Sequence, residues 1–491
     1  MLRVRKNEED VPMEFKLRDG RTIPVEMHKS KVVQTIKLLP AKDRLKAMQN
    51  AGFNTFLLRS GDVFIDMLTD SGTNAISDIQ QGATMCSDDA YAGSESFYRL
   101  ADEVKRSWGK QFVLPVHQGR AAEHILARFF VKPGTFLPMN YHFTTTKAHF
   151  VMQGGTVLEL FKKGALEIDS NEPFKGDIDV DAVEGVIKEK GADKVPFVRM
   201  EATTNLLGGQ PFSLANLREL KKMLEKHGIP IVLDASLVSE NAYMIWKRDS
   251  TAKGMSVGEI LREMMDLSDV VYVSARKSCS GRGGMIITDR KDLFDGMAPM
   301  VPLFEGFLTY GGMSSREIEG IAVGIREMSD PEVAGSSVEM IRFGVEKLKK
   351  HGVPVLTPGG GLGIHLDASR FLPKVSWDQY PAGCLAAAMY IASGVRGMER
   401  GSMSMDRSPD GNQVPSDLEL LRLAVPRRVY SASHIEYVTD MAIWLFENSD
   451  IIGGLKFTYE PPVLRFFMGR LAPTSSWDEK LAEAATRQFG N

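Results

Sequence analysis

Short apolar runs alternate with amphipathic stretches between about residues 110 and 289. This pattern predicts a mostly parallel β-sheet covered by helices. The clearest unit runs from Ser213, a typical N-cap residue, through leucines on one helical face to Gly228, which ends the helix. Residues 229–233 then have the composition of a buried strand. The centre of the chain is therefore expected to form a large α/β domain.

The two flanks of this region follow other patterns. A helix is predicted over residues 40–50, and after about residue 330 the sequence predicts a long helix, short strands and further helices. The length of 491 residues agrees with more than one hydrophobic core, since a single core seldom organises more than about 250–300 residues. We therefore expect a second, smaller α/β domain.

Composition excludes several classes of protein. The hydrophobic share of 43% and the charged share of 25% are those of an ordinary globular chain. With 60 Lys and Arg against 63 Asp and Glu, the net charge of −3 is too balanced for a general attraction to nucleic acid or membrane. The three cysteines are odd in number and widely spaced, which fits no disulfide framework. We find no signal peptide or membrane span in the sequence and expect a cytoplasmic protein.

Polar groups that follow predicted strands are the first candidates for chemistry, because ligands collect at the carboxyl ends of parallel strands. Gln118, Gly119 and Arg120 open a helix, where free N–H groups and a guanidinium can bind a phosphate; an ordinary turn is the alternative. Asp234 ends a predicted strand, and its carboxylate is expected either to face a cation or to cap a helix. Lys277 follows another strand, and its amine can form a Schiff base unless it is a solvated surface lysine.

Together these three groups match the requirements of pyridoxal 5′-phosphate (PLP). PLP needs a phosphate site, a lysine for covalent attachment and a carboxylate that keeps its ring nitrogen protonated. A phosphotransferase is the rival function for a phosphate-binding α/β protein, but the sequence has no GxxxxGK[ST] motif. PLP is therefore the expected cofactor.

Longer stretches of the chain resemble the β-eliminating aromatic amino-acid lyases, the family of tryptophanase and tyrosine phenol-lyase. The resemblance covers roughly residues 40–470, and the stretches that carry it include DDAYAGSESFY, PVHQGRAAE, NYHFTTT, TTNLLGGQP, SARKSC, GVRGMERG and LRLAVPRRVY. It implies the type I fold of PLP enzymes, as in aspartate aminotransferase. That fold would place a large, mostly parallel sheet domain over residues 71–330 and build a smaller α/β domain from residues 1–70 and 331–491. The resemblance also implies a homotetramer.

The resemblance assigns the cofactor contacts. It implies that Lys277 binds PLP covalently and later removes the α-proton of the substrate, and that Asp234 pairs with the ring nitrogen. Phe143 would stack on the cofactor ring, and Asn205 would lie near its phenolic oxygen. The contacts implied for the cofactor phosphate are Gln118, Gly119, Arg120 and Ser274.

The resemblance also assigns a set of substrate contacts. Arg422 and Ser71, with Thr69, would bind the substrate carboxylate. Tyr91 matches the general acid that protonates the departing aromatic ring. Elimination of a carbon leaving group needs such an acid in addition to a base and an electron sink.

The leaving ring is indicated by a few further positions. In the tyrosine branch of the family, an Arg that follows Met-Glu and a Thr that follows the stacking Phe contact the phenol hydroxyl, and Arg400 and Thr144 match them. A buried Arg beside a Thr can bond a phenol oxygen, which indole lacks. A structural ion pair of Arg400 with Glu399 or another acidic residue is the alternative. The remaining residues implied for this pocket are Met398, Phe466 and Phe467.

The chain departs from the family at positions near the expected site. Leu237 stands where the family has an Arg that bonds the cofactor's phenolic oxygen, and Leu362 stands where it has a His. The family also binds a monovalent cation, and Gly72 and Asp89 are the matching positions here. Asp89 is shorter than the family's Glu, and Arg282 lies near another ligand position, so both changes disfavour potassium. We hypothesise that Arg282 partly replaces the cation.

We expect a PLP-dependent carbon–carbon lyase that converts tyrosine to phenol, pyruvate and ammonia. One alternative is a related lyase that eliminates or replaces another β-substituent, with tryptophan among its candidate substrates. The other is a cofactor-binding homologue without lyase activity. The expected partner is a small amino-acid substrate, with no role for nucleic acid or membrane.

Overall fold

A computed structural model describes residues 13–408 and 410–490, so the first 12 residues of the expected N-terminal segment lie outside the described residues. The centre of the molecule is a seven-stranded sheet. One strand, Gly284–Thr288, is antiparallel to both of its neighbours, and the other pairs are parallel. The mostly parallel sheet expected from the sequence is confirmed. Across the sheet the strands are Phe112–Val116, Gly284–Thr288, Val270–Ser274, Ile231–Asp234, Val198–Glu201, Phe136–Met139 and Thr156–Glu159.

The unit that the sequence predicted most clearly forms as expected, with a small shift of its strand. The helix Leu214–Glu225 begins after Ser213, whose hydroxyl accepts a hydrogen bond from the Asn216 N–H. The strand that follows spans Ile231–Asp234 rather than residues 229–233, and all four of its residues are buried. Asp234 is therefore part of the strand, at its carboxyl end.

A second sheet has three antiparallel strands, Gly363–Asp367, Leu420–Ala424 and Met398–Arg400. The N-terminal part of the chain joins this region, because Ile65–Asp66 pairs in parallel with Val395–Arg396. One apolar core combines residues 48–68 with residues 340–482, while another draws on residues 13 and 100–338. These cores support our proposal of a small domain made from both ends of the chain, with boundaries near residues 70 and 330.

Helices surround both sheets. In the described part of the chain, no helix is both long enough and apolar enough to cross a membrane. Three short two-stranded pairings complete the strands: Ile65–Asp66 with Val395–Arg396, Glu14–Lys16 with Thr22–Pro24, and Leu455–Tyr459 with Arg470–Pro473. The helices are Ala41–Asn50, Asp78–Thr84, Glu95–Trp108, Gly119–Phe130, Thr144–Met152, Val180–Lys190, Leu214–Glu225, Val238–Arg248, Val257–Asp266, Lys291–Met297, Met300–Phe304, Ser315–Glu327, Pro331–Ala334, Ser336–Lys350, Ala368–Phe371, Pro381–Ser393, Ala432–Glu447, Arg465–Met468 and Trp477–Phe489.

Candidate functional site

The carboxyl ends of neighbouring strands bring the first candidate residues together. Asp234 ends one strand, and the adjacent parallel strand ends at Ser274, with Asp234 opposite Tyr272 in the register. Lys277 lies in the turn that follows. A hydrogen bond from the Lys277 N–H to the Ser274 carbonyl, at 3.2 Å, closes this turn. The three residues therefore lie together at the carboxyl ends of two neighbouring central strands, as the sequence predicted.

A close backbone approach shapes the start of the helix Gly119–Phe130. Gln118 is the N-cap residue, with an extended backbone. A Cβ atom at Gly119 would lie 2.7 Å from the Ser274 Cβ, which leaves room only for glycine. Arg120 is exposed beside this helix start. Free N–H groups at a helix N-terminus, with a guanidinium next to them, fit the binding of a phosphate.

Lys277 lies next to an aromatic ring. Its Nζ is 5.2 Å from the centroid of the Phe143 ring, and the side chain is half-buried. The Lys277 carbonyl accepts a hydrogen bond from the Asn74 side chain at 2.8 Å, which holds the turn in place. Phe143 is the N-cap residue of the helix Thr144–Met152, so Thr144 immediately follows the ring. The amine, the flat apolar surface and the helix start at Gly119 together fit a PLP molecule.

Asp234 has a set of partners that sequence reasoning missed. Its Oδ2 accepts hydrogen bonds from Arg199 Nη2 at 2.7 Å and from the Tyr272 hydroxyl at 2.9 Å. Its Oδ1 accepts from the N–H and the hydroxyl of Ser236 at 3.1 and 2.6 Å. The charged residues Arg199 and Glu201 in the fully buried strand Val198–Glu201 are the signal that could have pointed to this network.

The substrate-binding candidates come from the second sheet. Arg422 is buried in the strand Leu420–Ala424, and its Nη1 donates to Asn205 Oδ1 at 2.9 Å. Its Nη2 donates to the Leu68 carbonyl at 2.8 Å and also contacts the sulfur of Met398, which lies opposite it in the register. Burial lowers the pKa of Arg422 to about 10. The structure thus brings Arg422, Asn205 and Met398 together.

Arg400 lies two residues after Met398 and is buried. Its hydrogen bonds are made with residues other than Glu399. Its Nη1 donates to the Ser416 hydroxyl at 2.8 Å, and its Nη2 lies 3.4 Å from the Tyr141 hydroxyl oxygen. The Tyr141 hydroxyl in turn donates to Asp417 at 3.0 Å. The Nε of Arg400 has no partner among the described residues, so this side chain retains a buried donor for a ligand.

Two phenylalanines form a separate aromatic cluster. Phe466 and Phe467 lie in the helix Arg465–Met468, with ring centroids 3.9 Å apart. Both rings pack edge-on against Phe56, at 5.5 and 5.1 Å. The structure therefore places these two candidates in an apolar wall rather than in a polar contact.

The loop after Met67 supplies further candidates, and an arginine packs against it at Gly72, which the resemblance implied as a cation contact. The Ser71 N–H donates to the Thr69 hydroxyl at 3.1 Å, and Arg276 Nε donates to the Ser71 hydroxyl at 3.3 Å. The Gly72 N–H donates to the Arg276 carbonyl at 2.8 Å, and a side chain at Gly72 would collide with the Arg276 guanidinium. A resident guanidinium disfavours a potassium ion at this position.

Two expected residues lie apart from the rest. Tyr91 is 74% exposed and packs on Phe307 and Tyr310, with ring centroids 5.7 and 5.5 Å away. Asp89 is exposed and accepts a hydrogen bond from the Ser315 hydroxyl at 3.0 Å. Within the described ranges, no group of three or more His, Cys, Asp or Glu side chains is placed to hold a metal ion.

Comparisons with known proteins agree with this geometry. A family model described as beta-eliminating lyase matches residues 66–441. The chain belongs to the β-eliminating lyase family. It is 44% identical over 452 residues to the tyrosine phenol-lyase of Symbiobacterium sp. (strain SC-1), covering 92% of this chain and 99% of that one. It is 43% identical over 456 residues to the tyrosine phenol-lyase of Pasteurella multocida (strain Pm70), with coverages of 92% and 99%.

Solved structures show the fold. The serine palmitoyltransferase of Sphingomonas wittichii superposes with a TM-score of 0.52 at 14% identity, covering 79% of this chain and 88% of that one. An aspartate aminotransferase from Thermotoga maritima gives a TM-score of 0.56 at 15% identity, with coverages of 83% and 96%. The type I fold of PLP enzymes and the lyase class expected from the sequence are confirmed: the protein is a PLP-dependent lyase.

Proposed function

We propose that the protein is a tyrosine phenol-lyase, which converts tyrosine and water to phenol, pyruvate and ammonia. The observation that carries this proposal concerns Arg400, a buried arginine whose Nε has no partner among the described residues. Arg400 lies in the strand that pairs with the strand of Arg422. A buried N–H group needs an acceptor, and the oxygen of a phenol supplies one, whereas indole does not. Relatives at 40–44% identity that carry this enzyme name support the assignment.

The residues that would hold PLP are those at the strand ends. The helix start at Gly119, with Gln118, Arg120 and Ser274, would bind the phosphate, and Phe143 would face the ring. Lys277 would attach the cofactor, Asp234 would pair with the ring nitrogen, and Asn205 would lie near the phenolic oxygen. When bound, PLP supplies the electron sink that stabilises negative charge at the α-carbon.

The chain's own groups would orient the substrate and move its protons. Arg422, with Ser71 and Thr69, would bind the substrate carboxylate through charge-assisted hydrogen bonds. Lys277 Nζ would accept the proton from the α-carbon, because it lies beside Phe143 at the same sheet edge. Arg400 would bond the phenol oxygen, with Thr144 as a second polar contact.

The remaining pocket roles concern the ring itself. Met398, Phe466 and Phe467 would provide apolar contacts to the aromatic ring. Tyr91 would donate the proton that the departing ring carbon needs. Because Tyr91 is 74% exposed in the single chain, this role requires a surface that covers it.

The test is a substrate panel on the purified, PLP-loaded protein. Phenol and pyruvate in equal amounts from tyrosine, with little indole from tryptophan, would support the proposal. Arg400→Met should lower kcat/KM for tyrosine by about 100-fold, since a buried polar contact that is left unmade costs about 1–3 kcal/mol or more. Arg290→Met, a change to an exposed arginine paired with Asp292, is the matched control and should retain full activity.

A second candidate function is elimination or replacement of a different β-substituent. Leu237 and Leu362 favour it, because both are buried and apolar at positions where a polar contact was expected. Pyruvate from S-alkylcysteines without phenol from tyrosine would support this alternative. A protein that binds PLP but releases no pyruvate from any substrate would be a homologue without lyase activity.

We also propose a cytoplasmic homotetramer. Large apolar side chains such as Met85, Tyr91 and Leu303 are 71–74% exposed in the single chain, and exposed apolar patches mark interaction surfaces. The three cysteines are unpaired, which is typical of a reducing compartment. Potassium would have at most a minor role, because Arg276 lies beside Gly72.

A further inference from the structure

Both oxygens of the Asp234 carboxylate are held by hydrogen bonds from the protein. Arg199, Tyr272 and Ser236 together give it four hydrogen bonds, two to each oxygen. The group proposed to pair with the cofactor's ring nitrogen is therefore fixed in position by the protein, and one of its partners, Arg199, carries a positive charge.

Arg199 is held in a single orientation inside the sheet. The side chain has no exposed surface, and each of its three nitrogens has an acceptor. Nε donates to the Tyr272 hydroxyl oxygen at 2.9 Å, and Nη1 donates to the Tyr141 carbonyl at 3.1 Å and to Glu201 at 3.2 Å. Although burial disfavours its charge, the neighbouring Tyr272, Glu201 and Asp234 raise the pKa of Arg199 well above its usual value. Arg199 is therefore a permanent cation.

Glu201 is the second acidic partner of Arg199, and it links the network to Arg422. Its Oε1 accepts from the Asn205 N–H at 3.2 Å, and Asn205 Oδ1 accepts from Arg422 at 2.9 Å. A continuous path of buried hydrogen bonds thus runs from Arg422, through Asn205, Glu201 and Arg199, to Asp234. Removing Arg199 alone would leave two buried carboxylates with one cation fewer between them.

We propose that Arg199 is a positioning residue that acts through Asp234 on the cofactor's ring nitrogen and weakens the hold of the protein on the proton there. A cation 2.7 Å from Asp234 offsets the negative charge that this carboxylate presents to the ring. A lone carboxylate in the same place would hold that proton more strongly. The inference rests on the proposed function only in requiring that the chain binds PLP, not that it cleaves tyrosine.

The test compares two ligands that differ only at the ring nitrogen. Apoprotein is titrated with PLP and with 1-deazapyridoxal 5′-phosphate, in which a C–H replaces the nitrogen, and the dissociation constants are read from quenching of intrinsic fluorescence. The double variant Arg199→Met, Glu201→Gln removes the cation together with its second carboxylate, so the net charge buried in the network stays the same as in the parent protein. Its preference for PLP over the deaza compound should rise by about tenfold, since charge-assisted hydrogen bonds are the strong ones.

Two control variants separate charge from hydrogen bonding. Arg199→Lys retains the charge and should retain the preference of the parent protein. Tyr272→Phe removes one neutral donor to Asp234 and should also leave the preference near that of the parent. The inference is overturned if the double variant shows an unchanged or smaller preference, or if Tyr272→Phe shifts the preference as far as the double variant does.

The measurement is independent of turnover. If the preference shifts as expected while tyrosine is not cleaved, the proposed function fails and the role of Arg199 stands. If tyrosine is cleaved and the preference does not shift, the role of Arg199 fails and the proposed function stands. An apoprotein that binds neither ligand would overturn the inference.

Discussion

At the scale of single residues, Glu399 is a buried carboxylate whose protonation affects stability. Burial and then the nearby Glu419 carboxylate raise the pKa of Glu399 to about 7, above its reference value of 4.5. At pH values between 4.5 and about 7, Glu399 is therefore protonated in the folded protein and ionised in the unfolded chain. The free energy of unfolding contributed by this group is therefore fully present below pH 4.5 and falls as the pH rises toward 7.

We expect Glu399→Gln to remove this pH dependence. The parent protein should lose on the order of 3 kcal/mol of unfolding free energy from this group between pH 4.5 and 8, and the variant should lose correspondingly less. Urea unfolding at the two pH values measures the difference. Glu225→Gln, at an exposed glutamate, should keep the slope of the parent protein. An unchanged slope in Glu399→Gln would show that Glu399 is ionised in the folded protein.

Two arginines, Arg276 and Arg282, lie near the expected cation position and are expected to set the response to potassium. The Arg276 side chain lies against Gly72, and burial followed by the nearby Arg282 lowers the pKa of Arg276. Because two guanidiniums already bring positive charge to this position, the turnover of tyrosine should be equal in potassium and tetramethylammonium buffers of the same ionic strength. The double variant Arg276→Gln, Arg282→Gln, which removes both guanidiniums, should make turnover potassium-dependent. A parent protein that is inactive without potassium would contradict the replacement of the cation by arginine.

At the scale of secondary-structure elements, the helix Gly119–Phe130 contacts the strand Val270–Ser274 at the proposed phosphate site. A Cβ atom at Gly119 would lie 2.7 Å from the Ser274 Cβ and 3.1 Å from its Cα, so the helix start would have to move. We expect Gly119→Ala to raise the dissociation constant of PLP by about tenfold, which corresponds to 1.4 kcal/mol. Titration of the apoprotein with PLP measures it.

The control for this change is Gly185→Ala, in the helix Val180–Lys190. A Cβ atom at Gly185 would meet nothing within 4 Å. This variant should leave PLP binding unchanged and raise the unfolding free energy by up to about 1 kcal/mol, because alanine has the higher helix propensity. Equal PLP affinities for the two variants would show that the close approach at Gly119 does not shape the phosphate site.

The same elements show what the sequence could and could not predict. The helix after Ser213 and the strand-end positions of Asp234 and Ser274 follow from local periodicity and capping, which depend on neighbouring residues. The partnership of Arg199 with Asp234 joins two strands that are 35 residues apart. Such tertiary pairs leave no local pattern beyond a charged residue in a buried strand.

At the scale of the whole molecule, the candidate site combines groups from two sheets. Asp234, Ser274 and Lys277 come from the edge of the large sheet, and Arg422 and Arg400 come from the three-stranded sheet. The hydrogen bond from Arg422 to Asn205 crosses between the two regions. The strand pairing of Ile65–Asp66 with Val395–Arg396 also brings Thr69 and Ser71 into the C-terminal half of the molecule. The site therefore depends on how the two ends of the chain meet.

Tyr91 belongs to a surface patch that we define by Tyr91, Leu303 and Phe304. These side chains are 74%, 71% and 39% exposed, and Tyr91 stacks on the adjoining Phe307. A general acid surrounded by water would compete poorly with solvent as a proton donor to carbon, so a second copy of the chain is expected to cover the patch. Oligomerisation and tyrosine cleavage should therefore depend on the same surface.

We expect the PLP-loaded protein to be a tetramer by light scattering and Leu303→Asp to dissociate it, because a charge buried in an interface without a partner is strongly unfavourable. The variant should bind PLP normally, since Leu303 lies outside the contacts described for Lys277 and Gly119, but it should release phenol from tyrosine far more slowly. Val463→Asp, at another exposed apolar residue (64% exposed), is the matched control and should change neither mass nor turnover. A Leu303→Asp protein that remains a tetramer with full activity would place the interface elsewhere, and a monomeric parent protein that cleaves tyrosine would show that Tyr91 donates its proton without a covering partner.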